Sequence, residues 1–131
     1  MTAFASQNLK NAAGSNVAFA PQTINPSNGV ASWATSAETV YDLKSFLSIS
    51  SSVPSAKSSK ARLRVKISVP MTLSDAGGTY YKADEAIATL DIAIPKNMDL
   101  TYRQNLQAFM KSVLTDASFV TNFMSAFEGI Y

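Results

Sequence analysis

The chain has no cysteine and no histidine. Without thiols there are no disulfides and no thiolate nucleophiles. Without imidazoles the commonest general base is missing, and with it most transition-metal sites. A Ser-His-Asp hydrolase is excluded for the same reason. Gly77-Gly78 is not followed by the Lys and Ser/Thr of a phosphate-binding loop. Asp84, Glu85, Asp91 and Asp99 make no pair at a diagnostic spacing. An enzyme is therefore not expected, and no cofactor or metal is implied. No apolar run approaches the roughly 20 residues of a membrane span, so no membrane partner is expected. No basic stretch followed by an apolar run opens the chain, so no secretory signal is expected either.

Charge is also scarce. Asp, Glu, Lys and Arg make up 15% of the chain, against about 25% in an ordinary globular domain, while the hydrophobic fraction is an ordinary 47%. A chain short of charge has less surface suited to open water. Some of that surface is expected to meet copies of itself, although Ser, Thr and Asn can also cover it. The length, 131 residues, fits one domain, 1–131, with a real core.

What charge there is has been concentrated. The net charge is only +2, yet Lys57, Lys60, Arg62, Arg64 and Lys66 follow one another with no Asp or Glu between them. From Arg62 to Pro70 the sequence alternates without a slip. Arg62, Arg64, Lys66 and Ser68 fall on one face, and Leu63, Val65, Ile67 and Val69 on the other. Period two with β-branched residues on the apolar side predicts a half-buried strand, ended by Pro70, which cannot donate to a ladder. Three cations in a row with no acid make either a basic solvated face or a sheet surface that meets a polyanion, and the local charge favours nucleic acid.

Other stretches fill in the architecture. The first 19 residues read as two short strands around the turn Asn11-Ala12-Ala13-Gly14. Ala20 to Gly29 reads as a turn-rich connection. The single tryptophan, Trp33, is assigned to packing, with base stacking as the alternative. From Tyr41 to Ser52 a second alternation sets Tyr41, Leu43, Leu47 and Ile49 against Lys44, Phe46, Ser48 and Ser50. Phe46 stands among polar neighbours, either as edge packing or as a platform for a base. Ser50 to Ser59, serine-rich with Pro54 inside, is a loop or a frayed strand end, and Met71 to Lys82 is a loop with a flexible tip at 74–78. Ala86 to Pro95 returns as a strand, with Ala88, Leu90, Ile92 and Ile94 opposite Ile87, Thr89, Asp91 and Ala93. After Pro95 the period changes. Leu106, Phe109, Met110, Val113 and Leu114 form one helical stripe, with Asp99 or Thr101 as its cap. Phe119, Val120, Phe123, Met124 and Phe127 form another after a break at Thr115-Asp116. Strands followed by helices make an α+β chain. Two short helices scarcely cover a wide sheet, which a partner subunit's helices would remedy.

In order and spacing these segments resemble the coat proteins of small single-stranded RNA bacteriophages, the leviviruses. The resemblance rests on Asn25-Pro26-Ser27-Asn28-Gly29-Val30-Ala31-Ser32-Trp33, on Lys60 to Pro70, on Leu90-Asp91-Ile92-Ala93-Ile94-Pro95 and on Gly129-Ile130-Tyr131. It implies an N-terminal β-hairpin, a five-stranded antiparallel sheet and two C-terminal helices that clasp a second subunit in an interlocked dimer. It further implies an icosahedral shell in the virion, assembled in the bacterial cytoplasm. The joined sheets would face inward and bind genomic RNA, including a hairpin whose capture represses replicase translation. The loop at about Met71 to Lys82 would adjust at the symmetry axes. Lys44, Phe46, Ser48, Lys60, Arg62, Arg64, Lys66 and Thr89 are the RNA-binding candidates, and Val30 and Ile87 fall at contact positions too. The family's small threonines are replaced here by Phe46 and Arg64, and its stacking tyrosine by Ile87, which speaks against its adenine pocket. The other reading of the same strand is a cellular single-stranded nucleic-acid-binding module, which would form no shell. A plain structural oligomer would carry no RNA.

Overall fold

The computed structural model describes residues 4–25, 27–54, 56, 59–115 and 118–129. Pro26, Lys57, Asp116 and the terminal Ile130-Tyr131 lie outside the described residues. Six strands form one sheet in sequence order: β1 (Gln7–Lys10), β2 (Asn16–Asn25), β3 (Val30–Thr35), β4 (Phe46–Ser52), β5 (Lys60–Ser74) and β6 (Tyr80–Pro95). The four pairings from β1 to β5 are antiparallel. The strand β2 belongs both to the N-terminal hairpin and to the five strands β2–β6. Two helices follow, α1 (Leu100–Thr115) and α2 (Ser118–Ala126). The chain divides into two compact units, one ending at Ala93 and the other starting at Ile94.

The hairpin turn lies where Asn11 and Gly14 place it. Asn11 Oδ1 accepts hydrogen bonds from the backbone of Ala13 and Ser15, and Gly14 supplies φ +80, a conformation that costs glycine little. Elsewhere the strands are longer than the sequence suggests. β2 passes through Pro21 to Asn25, and its register with β3 shifts between Pro21 and Thr23. The residue that the ladder skips is Gln22, so the bulge directly follows Pro21, which keeps Trp33 as its partner. Likewise β5 runs past Pro70 to Ser74. Its pairing with β4 ends at Phe46↔Ser68, so beyond Ser68 one flank is open, the setting in which a strand tolerates proline. The predicted loop from Met71 to Lys82 shrinks to residues 75–79. Asp75 Oδ1 accepts from the N–H groups of Gly77 and Thr79, and Gly78 takes φ +80. At Tyr41 the alternation is replaced by a 3-10 turn, Tyr41–Leu43.

The core of the sheet unit lies on one face. Phe19, Trp33 and Leu47 are buried, with Leu9, Val17, Ala31, Ile49, Val65 and Ile67 packed against them. Trp33 is a packing residue: Nε1 donates to the carbonyl of Ala5 at 2.8 Å, and its ring meets Phe4 edge-on at 5.1 Å. In the second unit, Asp99 directly precedes α1 and its carbonyl accepts from Arg103 N–H, which is the N-cap position. Thr101 is inside the helix. Neither helix has a buried residue. Phe109, Phe123, Met124 and Phe127 are all exposed. Phe127 closes α2 in the left-handed region, φ 56, where glycine is usual.

Leu47 sits between Trp33 and Ile67 in the cross-strand register. Leu47→Ala should cost about 2–5 kcal/mol. Ser48→Ala, on the opposite face of the same strand, should stay within about 0.5 kcal/mol of the parent. Urea unfolding at matched protein concentration checks both.

Candidate nucleic-acid interface

The pairing of β4 with β5 builds the site. The registers Ser48↔Lys66, Ser50↔Arg64 and Ser52↔Arg62 put a serine hydroxyl opposite every cation. The intervening pairs Leu47↔Ile67, Ile49↔Val65 and Ser51↔Leu63 face the other way. Side chains on one face recur every two residues, about 6.7 Å, so the cations form an evenly spaced row. Arg62, Arg64 and Lys66 are exposed, whereas Leu63, Val65 and Ile67 are half-buried. Serine can hydrogen-bond but cannot neutralise, so β4 leaves the charge of the row intact.

Rows of residues extend across the sheet from each pair. Val30 stands beside Ser50, and Ser32 beside Ser48. Ala20, Ala34, Phe46 and Ser68 form a third row. Phe46 is half-buried, and the ring of Tyr41 leans on it edge-to-face at 5.3 Å. It therefore has a packing partner while sharing the face of Lys66 and Arg64. Lys44 lies before the strand, its N–H closing the 3-10 turn on the carbonyl of Tyr41. It flanks the row. Lys60 opens β5 on the side of Arg62 by alternation.

On β6 the row meets an acid. Arg64 Nε donates to Asp91 Oδ1 at 2.6 Å, with the two side chains 67% and 61% exposed. The hydrogen bond first, and then the charge of Asp91, raise the Arg64 pKa, against a small opposing effect of desolvation. Exposed pairs of this kind contribute little to stability and are screened by salt. The contact puts Asp91 on the cationic face, and alternation places Thr89 and Ile87 there with it. Sequence reasoning grouped Asp91 with Thr89 but missed its pairing with Arg64, which depends on the β5–β6 register. It also placed Tyr41 on the opposite face from Phe46. The Asp91 contact depends on the parity of neighbouring strands, which only registration fixes, and the placement of Tyr41 on a 3-10 turn that breaks the alternation. Among the described residues no group of His, Cys, Asp and Glu is placed to hold a metal, and no helix is long and apolar enough to cross a membrane.

The family model described as "Levivirus coat protein" matches residues 2–131. The chain belongs to the levivirus coat protein family. As a member it is a capsid protein, a structural component of the virion and not an enzyme. No curated protein matches its sequence. Solved structures nevertheless share the fold. The virus-like particle of Beihai levi-like virus 21 superposes with a TM-score of 0.85 at 18% identity, covering 99% of both chains. The capsid protein of bacteriophage GA gives 0.75 at 21% identity over 98% of both chains. An unassembled bacteriophage coat protein, described as an RNA-binding dimer, gives 0.67 at 20% identity over 98% of both. At these identities the likeness speaks for the fold.

If the cation row meets phosphates, Arg64→Ala and Lys66→Ala should each flatten the log–log salt dependence of RNA affinity by about 0.7–0.9 for every phosphate no longer neutralised. Lys111→Ala, on α1, should not. Phe46→Ala should weaken binding by about 1–3 kcal/mol with little salt dependence if a base stacks there. Filter binding of RNA at several salt concentrations measures all four. Parent-like binding by both cation variants would leave the row a solvated surface.

Proposed function

We propose that this coat protein forms an interlocked dimer over the whole chain, 1–131, and assembles as dimers into an icosahedral shell in the bacterial cytoplasm. Its cationic sheet face would line the interior and hold genomic RNA. Capture of one RNA hairpin on that face would also repress replicase translation. The observation that carries the reading is the two-sided sheet: one face bears the serine–cation row, and the other bears the apolar cluster. The exposed stripes of α1 and α2 supply apolar surface for a second copy. Burying a large apolar side chain contributes roughly 1.5–3 kcal/mol, so several such rings left in water would be a large loss. A relative described as an RNA-binding dimer supports the same reading.

Light scattering of particles gently dissociated in acid should find dimers, and a stable folded monomer at micromolar concentration would overturn the interlocked arrangement. Phe123 is 54% exposed in the single chain, so Phe123→Ala would cost a monomer little. In the dimer the cost should be about 3–5 kcal/mol, and the variant should fail to accumulate in soluble form.

The 75–79 tip closes on its own Asp75 carboxylate, and loop-closure cost changes slowly with length. Shortening residues 74–78 should therefore preserve dimers but abolish shells or change their size, as seen by negative-stain microscopy. Unchanged particles would remove the tip from shell geometry. Particles that contain no RNA would remove the RNA-facing role.

A further inference from the structure

Resting on the RNA-facing reading, we propose that Asp91 is a built-in counter-ion that competes with RNA for Arg64. The site it controls is a phosphate subsite formed by Ser50, Ser52, Arg62 and Arg64. These four residues, with Asn28 and Asp91, supply most of the polar lining of one surface depression, which Ser51, Leu63, Ile92 and Ala93 complete. Two guanidiniums opposite two hydroxyls are a donor set for a phosphate: a guanidinium carries five N–H donors in a fixed fork, and each serine adds an O–H. Among the described residues no carboxylate lies within salt-bridge range of Arg62 or Lys66, whereas Arg64 is held at 2.6 Å.

The contact engages Nε, so the Nε edge of the fork, one route to bidentate binding, is occupied by a carboxylate before RNA arrives. Both side chains are largely exposed, and such a pair is weak enough for a phosphate to displace it. Displacement leaves Asp91 uncompensated beside the incoming anion. Asp91 therefore lowers affinity at this row twice, by occupying Arg64 and by repelling the phosphate. The consequence is selectivity among RNA poses. A strand that draws Arg64 away from Asp91 is accepted, and one that merely lies across the face is penalised.

A double-mutant cycle separates these effects. Dimers of the parent, Asp91→Asn, Arg64→Ala and the double variant are titrated with a mixed-sequence single-stranded RNA oligonucleotide at several salt concentrations. In the parent background Asp91→Asn should tighten binding about two- to five-fold and steepen the log–log salt slope by less than the roughly 0.7–0.9 of a full phosphate contact, because Asp91 denies Arg64 its phosphate in only part of the parent complexes. In the Arg64→Ala background the same change should leave the slope unaltered, because the competition has no object there. Equal tightening and equal slopes in both backgrounds would make Asp91 a general repulsive charge and overturn the inference. Absence of tightening in the parent would overturn it as well. Parent dimers that bind no RNA would overturn the RNA-facing reading itself, and with it this inference. Binding with additive effects removes only the counter-ion role.

Discussion

The constraint on which the rest depends is the register between β4 and β5. Side chains alternate across a strand, so a slip of one residue would exchange the two faces of the sheet completely. Leu47 opposite Ile67 and Ile49 opposite Val65 pin the register by burial. The serines and cations have no comparable energetic hold on one another. The apolar face therefore sets the position of the charged face, and the cation row is ordered by a core that it does not touch. This division lets the charged side chains stay exposed without loss of position.

Much of this was legible in the sequence because period two is a strong signal where both faces differ in character. The stretch from Arg62 to Ser68 showed its faces without help. The N-terminal turn followed from Asn11 and Gly14, and the two helical stripes followed from spacings of three and four. Strand ends were less legible. Pro21 and Pro70 looked like stops, yet β2 continues through a bulge directly after the first, and the second lies where one flank is unpaired. Neither circumstance is a local property of the chain. Tyr41 looked continuous in parity with Leu43 and Leu47, but a 3-10 turn intervenes and turns its ring onto Phe46.

The candidate site was legible as a row and illegible as an electrostatic unit. The run of cations without an intervening acid was read along one strand, where it holds. Across the sheet Asp91 stands next to Arg64, 27 residues later in the chain, and no linear pattern joins them. Serines of β4 were likewise visible as polar positions, but that Ser48, Ser50 and Ser52 each face a cation is a fact of pairing. Charge runs report one strand, whereas the potential that a ligand meets is set by neighbouring strands together.

Trp33 is the chain's one tryptophan, and it lies in the apolar layer of the sheet, held by Ala5 and Phe4. Its indole is thus placed on the apolar face, away from the cation row. The protein consequently contains a single-site optical reporter within the apolar layer of its sheet. Intrinsic tryptophan emission therefore reports on that face alone, without an attached dye.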